Sequence, residues 1–383
     1  MLLNSSEKKS AIVITRFPYE SQWGGEESHT IQIARHMSLQ GYEVVFMGSC
    51  EVLLKKMKDE GFHTMKVWGG KMIVTWWELL RSLVLFPFII INLRRAYNQL
   101  STTYDIKALY CLSLNEKLFL SPLAVSQSVP VTWVEHQEIR GWLMKSPWKY
   151  LYCKNSKSVQ IVPISKNNEE ALLSFGISSG CLTEIVNGVD VSGIQSVQVQ
   201  KEKGLIVYAN RLIKKKGVLD FIESLEYLPQ KSEKKIVIIG NGKLESEVKK
   251  KMNTCVGYFS IEHLNYLKKE NWYSLLRKAE VFVCSSEDSN ETFSLNSAEA
   301  LAAGCKLVVT KPCGIVSYLE DRKDAVFADA QNSVNLSHKI LIALESEELS
   351  ENGKKTAREK FNLPIMLKLY ESLILRSSGK YLH

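Results

Sequence analysis

Short unbroken apolar runs alternate with segments of helical period through most of the chain. Ala11-Ile-Val-Ile-Thr15 is the first run, and Ile31, Ile33, Ala34 and Met37 then form a helix stripe ended by Gly41. Glu43 to Met47 is a second strand, Glu51 to Glu60 a helix closed by Gly61, and Phe62 to Val67 a third strand. Further strands are expected at 106–110, 130–136 and 159–163, with helices over 116–127 and from Ser165 to about Gly176. Residues 191–203, rich in Ser, Gln, Val and Lys, read as a linker. The alternation then restarts with strand Leu205 to Ala209, helix Val218 to Leu228 and strand Lys235 to Gly240. Helix Trp272 to Lys278, strand Val281 to Cys284, a helix ended by Gly304 and strand Lys306 to Thr310 follow. Strands separated by helices predict parallel sheets, and 383 residues are too many for one ordinary core. The division expected is a first α/β domain over 1–190, a linker over 191–203, a second α/β domain over 204–362 and a last helix over 363–383.

One stretch departs from this rhythm. Residues 72–95, from Met72 through Trp76-Trp77 to Arg94-Arg95, are apolar nearly all round. A spanning helix needs about 20 clean apolar residues, and Arg81, Pro87 and Asn92 interrupt this one. Two readings stay open: a helix lying in a membrane interface, anchored by its tryptophans and arginines, or a helix buried against the sheet.

Composition narrows the partners. The formal net charge of +8 favours anionic ones, such as nucleotides or phospholipid head groups. No dense basic block with interleaved aromatics marks a nucleic-acid groove, so no nucleic-acid partner is expected. Eight cysteines stand without a C-x-x-C pair or zinc spacing, which fits a reducing cytosol and gives no metal site. MLLNSSEKKS lacks the apolar core of a signal peptide, and the expectation is a cytoplasmic protein, held at the inner face of the membrane if 72–95 docks there.

Candidate chemistry concentrates in Ser285 to Gly304. Glu291 and Glu299 stand eight positions apart, the first in a loop and the second inside a helix. The free N–H groups where that helix starts, near Ser294 and Leu295, suit a phosphate or diphosphate. Arg211 and Lys216 lie in a turn after a strand, five apart with Gly217 after them. The loop after the first strand carries Gly24 and Gly25 but no G-x-G-x-x-G, which argues against a nicotinamide dinucleotide. His136 ends a strand, where ligands of parallel sheets bind.

Glu291-Thr-Phe-Ser-Leu…Glu299-Ala-Leu-Ala-Ala-Gly304 resembles the E-x7-E motif of the retaining glycosyltransferases of family 4. Arg211-x4-Lys216-Gly217, Gly24-Gly25-x-Glu27, Ser165 and Asn187-Gly-Val-Asp190 are similar to that family's other signatures. The resemblance covers nearly the whole chain. It implies the GT-B fold, α/β, with two doubly wound Rossmann-like domains facing a cleft and the last helix crossing back to the first domain. It implies a nucleotide diphosphate sugar, UDP- or GDP-linked, as donor substrate, no cofactor, and transfer with retention to a glycan or lipid-linked acceptor. Arg211 and Lys216 would hold the diphosphate with Phe293, Ser294 and Leu295; Glu299 would hold the ribose; and Gly24, Gly25 and Gly240 would approach the donor. The donor base is expected near Cys255-Val-Gly257-Tyr258, taken to follow a strand. Glu291 and His136 would contact the sugar. Cys284-Ser285 stands where the family has Pro-Ser, the loop through Asn290 is longer, and Ser294 replaces a commoner glycine. These departures leave the sugar open. Two rivals also stay open: a nucleotide-sugar epimerase on the same fold, and a non-enzymatic nucleotide-sugar or membrane-binding protein.

Overall fold

The computed structural model describes residues 8–17, 24–70, 76–136, 143, 146–229, 234–255, 259–288 and 291–376. The chain divides into two compact units. The first holds strands β1 (Lys9–Arg16), β2 (Glu43–Gly48), β3 (His63–Lys66), β4 (Tyr104–Cys111), β5 (Val131–Glu135) and β6 (Gln160–Pro163). They form one parallel sheet in the order β3-β2-β1-β4-β5-β6. The second unit holds β7 (Glu202–Ala209), β8 (Lys235–Ile239), β9 (Ser260–Leu264), β10 (Ala279–Cys284), β11 (Lys306–Thr310) and β12 (Ala325–Ala328), in the order β12-β11-β10-β7-β8-β9. Both orders are the doubly wound one. The strand sequence reverses between β1 and β4 in one sheet and between β7 and β10 in the other, and the crevice outside such a reversal is where ligands bind. Helices cover both faces, so the central strands are apolar throughout: Ala11 to Ile14 and Ile206 to Val207 have no exposed surface.

The units do not meet at the expected linker. Residues 186–366 and 165–167 belong to the second unit. Val191–Ser196 is a helix whose N-cap, Asp190, accepts from the Gly193 N–H at 2.9 Å, and Val191 and Ile194 are buried in the second unit's core. The Val189 N–H donates to the Phe361 carbonyl at 2.8 Å and Leu363 returns a bond to Val189 at 3.0 Å, which ties this segment to the second unit. Two apolar positions three apart were enough to make a packed turn of helix out of a polar-looking stretch.

Two helical segments also differ from the pattern. The expected helix over 116–127 is two short ones, Leu114–Phe119 and Ser121–Ser126, because Pro122 has no N–H to continue the ladder. Cys255 ends the helix Glu245–Cys255, which is held to the core by Val248 and Met252, and the strand β9 comes after it. No strand therefore precedes Cys255-Val-Gly257-Tyr258, and Tyr258 lies outside the described residues.

The last helix, Leu363–Ile374, begins in the second unit and from Leu367 belongs to the first. There Tyr370 is fully buried, 5.0 Å from the His29 ring, and the Glu371 carboxylate lies 2.7 Å from His36 Nε2.

The unusual apolar stretch is part of a 28-residue helix, Trp76–Thr103, long and apolar enough by length and composition to cross a membrane. It has two faces. Ile89, Leu93, Ala96, Tyr97 and Leu100 are buried in the first unit's core. Trp77, Leu80, Val84, Phe88 and Ile91, three or four apart, form a stripe that stays exposed, Trp77 by 81%. Arg81, Arg94 and Arg95 are exposed along it. Neither open reading holds for the whole length: the second half is core on one side, and the first half shows apolar surface to solvent. Residues 72–75 lie outside the described ones.

Candidate functional site

In the second unit, the chain leaving β7 passes Asn210 and Arg211 and makes a single 3-10 turn, Lys214–Lys216, ended by Gly217 in the left-handed region at φ 65°. A Cβ on Gly217 would stand 1.8 Å from the Ser285 carbonyl oxygen, so only glycine allows this approach. The Ser285 hydroxyl donates to the Gly217 carbonyl at 2.8 Å and the Tyr208 phenol to the Lys216 carbonyl at 2.9 Å. These bonds fix the turn against the loop that follows β10. They bring the Lys216 ammonium onto the Glu291 carboxylate, in a contact only 11% and 15% exposed at the two side chains. Asn210 Nδ2 and the Ser286 hydroxyl reach the same carboxylate oxygen at 3.3 and 3.4 Å. The Gly314 N–H donates to the Glu291 carbonyl at 2.8 Å, which holds the loop from its far side.

Ser294 caps the helix Leu295–Ala303, accepting from the Ser297 N–H at 3.3 Å and its hydroxyl at 2.8 Å. Gly304, at φ 79°, closes it. The helix start thus lies beside the loop that carries Glu291, and a fixed cation, a carboxylate and first-turn N–H groups gather outside the reversal between β7 and β10. Gly240 joins them, since a Cβ there would meet the Asn210 carbonyl oxygen at 1.9 Å. Arg211 is exposed, with its N–H bonded to Asn210 Oδ1 at 3.0 Å. The Phe293 side chain corrects an expectation. It is buried edge-on to Phe361 and Tyr318, 5.4 and 6.1 Å away, so it packs the core and leaves only backbone for a ligand.

Glu299 lies little more than a turn into that helix. Its Oε2 accepts from Trp272 Nε1 at 2.7 Å. The carboxyl keeps an exposed edge, yet protein crowds it closely enough that burial pushes its pKa up to about 7, against the Trp272 hydrogen bond and the Lys269 charge.

The first unit gathers a different set at the end of β1. Arg16 is 2% exposed and its guanidinium contacts Glu26 at 3.1 Å and Glu27 at 2.8 Å. Both carboxylates sit in the first turn of the helix Gly25–Leu39, whose N-cap is the exposed Gly24. One guanidinium serves two carboxylates. Burial pushes Glu26 up to about 7, with Arg16 opposing and Glu27 adding to the rise. His29, on the next turn, is buried with neither ring nitrogen bonded among the described residues, and desolvation holds its pKa down at about 3. His136 follows β5 with its ring 5.0 Å from His29. Desolvation first, then His29, Arg16 and Lys117, keep it well below the ordinary histidine value and therefore neutral. Beneath it the fully buried Lys117 pairs with Glu135 at 2.6 Å, which also accepts from Tyr152 at 2.6 Å.

Of the residues singled out in the sequence, Lys216, Glu291, Ser294, Leu295 and Gly240 come together in the second unit with Arg211 at the rim. Gly24, Gly25 and His136 belong to the first. Asn210, Ser286, Trp272, Arg16 and His29 were not singled out. Asn210 and Ser286 flank motif residues and could have been found that way, whereas Trp272 is 27 positions from Glu299 and nothing in the spacing joins them. Among the described residues no three His, Cys, Asp or Glu side chains converge as a metal site requires.

Residues 193–360 match the family model described as glycosyl transferases group 1. The N,N'-diacetylbacillosaminyl-diphospho-undecaprenol alpha-1,3-N-acetylgalactosaminyltransferase of Campylobacter jejuni is 28% identical over 221 residues, 52% of this chain and 55% of that protein. The chain spans little more than half the length of the curated relatives it matches. A glycosyltransferase structure from Rickettsia africae superposes with a TM-score of 0.79 at 17% identity, covering 98% of this chain and 100% of that one. Alr3699/HepE of Anabaena, crystallised with UDP, gives 0.72 at 13% identity, covering 95% and 98%. At these identities the likeness establishes the fold: two six-stranded parallel sheets with helices, as in GT-B glycosyltransferases.

Proposed function

We propose that the protein is a retaining, metal-independent glycosyltransferase of family 4, moving a sugar from a nucleotide diphosphate sugar to a hydroxyl of a glycan or lipid-linked acceptor. One observation carries this reading: Lys216 and Glu291 are held in contact, beside a capped helix start, outside the reversal between β7 and β10. A diphosphate needs fixed positive charge and oriented N–H groups, and a sugar needs an acceptor for its hydroxyls. Both are present within one loop-and-turn assembly.

The chemistry follows from the charges. As the glycosidic bond to the diphosphate breaks, negative charge builds on the leaving oxygen. Lys216, Arg211 and the N–H groups at Ser294 and Leu295 neutralise it without rearranging at that moment. Bound diphosphate draws the Lys216 ammonium off Glu291, and the freed carboxylate, still held by Asn210 and Ser286, accepts from sugar hydroxyls. Glu299 takes the ribose hydroxyls. The resemblance adds Gly24 and Gly25 as phosphate contacts and His136, a neutral imidazole, as a hydrogen-bonding contact to the sugar. A leaving phosphate oxygen takes the acceptor proton, so attack and departure share one face and the configuration is retained. That HepE was crystallised with UDP, and that the Campylobacter relative is named for a diphospho-undecaprenol acceptor, supports a UDP-type donor and a lipid-linked acceptor. The exposed apolar stripe with its arginines supports peripheral contact with an anionic membrane, at its cytoplasmic face.

A thermal-shift panel of UDP-, GDP- and ADP-sugars tests the donor, and the expected outcome is a raised melting temperature with one of them. Proton NMR of the product's anomeric signal, with EDTA present, then tests the mechanism. Turnover in EDTA with the donor's configuration kept is expected. An inverted linkage, or strict need for a divalent ion, would overturn the mechanism.

A further inference from the structure

We propose that Trp272 is a positioning residue for Glu299: its indole N–H holds one carboxylate oxygen so that the other stays turned to the ribose of a bound nucleotide. The inference rests on the donor-site reading above and adds a residue that nothing in the motif supplies.

Trp272 projects from the helix Lys269–Lys278, which packs beside Leu295–Ala303, and its ring meets Phe282 of β10 edge-on at 6.2 Å. The indole is therefore anchored on core while its one N–H points at Glu299 Oε2, 2.7 Å away. An indole N–H only donates, so it cannot serve a protonated carboxyl equally well through the same contact. On its own helix the neighbours one turn away are Leu295, Asn296, Ala302 and Ala303, and the Asn296 amide donates instead to the Ala209 carbonyl at 2.9 Å. Three other groups face it. Lys269 favours its ionised form but is drawn to Asp190 at 3.2 Å and lies over the Tyr273 ring at 5.1 Å. Asp190 opposes ionisation, and the Tyr273 phenol is itself pushed up, by burial first and then by Glu299. Burial opposes it most, which leaves the carboxyl titrating at about 7. Trp272 is the first counterweight, so removing it shifts Glu299 toward its protonated, weaker-accepting form.

The experiment is calorimetric titration of the full chain with UDP-glucose, GDP-mannose and ADP-glucose between pH 6 and 9, where their diphosphates gain no proton. For the wild type, affinity for the nucleotide sugar that binds should fall as the pH drops through about 7. Trp272→Phe should move that midpoint up by about one unit, which is about fivefold weaker binding at pH 7 and near-equal binding at pH 9. Glu299→Gln should flatten the profile, with or without Trp272→Phe. An equal loss at every pH would show that Trp272 only packs, and would overturn the proposal while leaving the donor-site reading intact. Failure of all three probes to bind the wild type would overturn that reading, and this proposal with it. Should Trp272→Phe fail to fold, 5-fluorotryptophan-labelled wild type decides: one fluorine resonance should titrate at about pH 7 and cease to do so in Glu299→Gln. A spectrum with no such resonance overturns the proposal.

Discussion

Arg16 ends the first strand of its sheet and Lys216 follows the first strand of the other, and both are buried cations set against glutamates. Arg16 ends β1 and serves two carboxylates in one helix turn, while Lys216 leaves a tight turn beyond β7 and serves one carboxylate in a loop. The planar guanidinium is buried and spans both carboxylates inside its unit. The ammonium is a point charge on a flexible stem, beside first-turn N–H groups, and on the function proposed above it exchanges its partner for a phosphate. On that proposed function, the same topology places a structural ion cluster at one reversal and a ligand-binding charge at the other. Strand order decides where charged groups gather, and side-chain geometry decides whether they are held or lent.

The sharpest way to break this comparison is to remove each cation in turn. Arg16→Ala leaves Glu26 and Glu27 facing each other in the interior, at an expected cost of about 3–5 kcal/mol in denaturant unfolding. Lys216→Ala leaves a single carboxylate, with no second one beside it, still held by Asn210 and Ser286. It should cost far less stability, yet lower turnover by about two to three orders of magnitude. If Lys216→Ala keeps full turnover, the diphosphate clamp lies elsewhere. If Arg16→Ala melts like the wild type, the first unit's cluster is not structural.

Some of this was legible in the sequence and some was not, for physical reasons. The parallel alternation could be read because strands buried on both faces are continuously apolar, as Ala11 to Ile14 and Val281 to Cys284 show. The Ser294 cap and the Gly304 stop could be read because capping is local chemistry. The Asn241-Gly242 turn marks a helix start in the sequence, but the extent of the helix Glu245–Cys255 could not be read, because only Val248 and Met252 mark its buried face. The break at Pro122 was visible and was outweighed by the apolar period around it. Arg16 against Glu26 and Glu27, and Trp272 against Glu299, are contacts between elements. Spacing along the chain carries no trace of them.

A second contrast between the units is electrostatic and smaller. In the first unit burial drives histidines toward neutrality, and in the second it drives Glu299 toward protonation. Unfolded His29 gains a proton below its ordinary 6.5, whereas folded His29 gains one only near pH 3. The stability its neutral ring supports is complete above pH 6.5 and is lost as the pH falls, by about 2 kcal/mol at pH 5. Glu26, raised to about 7, acts in the opposite direction over the same range, so the net profile of the wild type hides both. His29→Phe isolates one of them, because no ring-nitrogen hydrogen bond among the described residues is lost with it. Urea melts should show the wild type losing about 2 kcal/mol more than His29→Phe between pH 7 and pH 5. Parallel slopes would mean that folded His29 titrates normally.

The smallest effect expected separates the two faces of the helix Trp76–Thr103. Its buried face supports the first unit's core through Leu93 and Tyr97, and its other face leaves Trp76 and Trp77 61% and 81% exposed. Exposed side chains contribute little to folding, so Trp76→Ser with Trp77→Ser should leave the melting temperature nearly unchanged. If the stripe docks on a membrane, the wild type should co-sediment with anionic vesicles, less so as salt screens Arg81, Arg94 and Arg95. Partial insertion of two indoles is then worth about a tenfold change in vesicle binding, which the paired substitution should remove. Co-sedimentation equal in both proteins would show that the tryptophans are not the anchor. A paired variant that no longer folds would assign them to packing, and the acceptor would then be sought among soluble glycans.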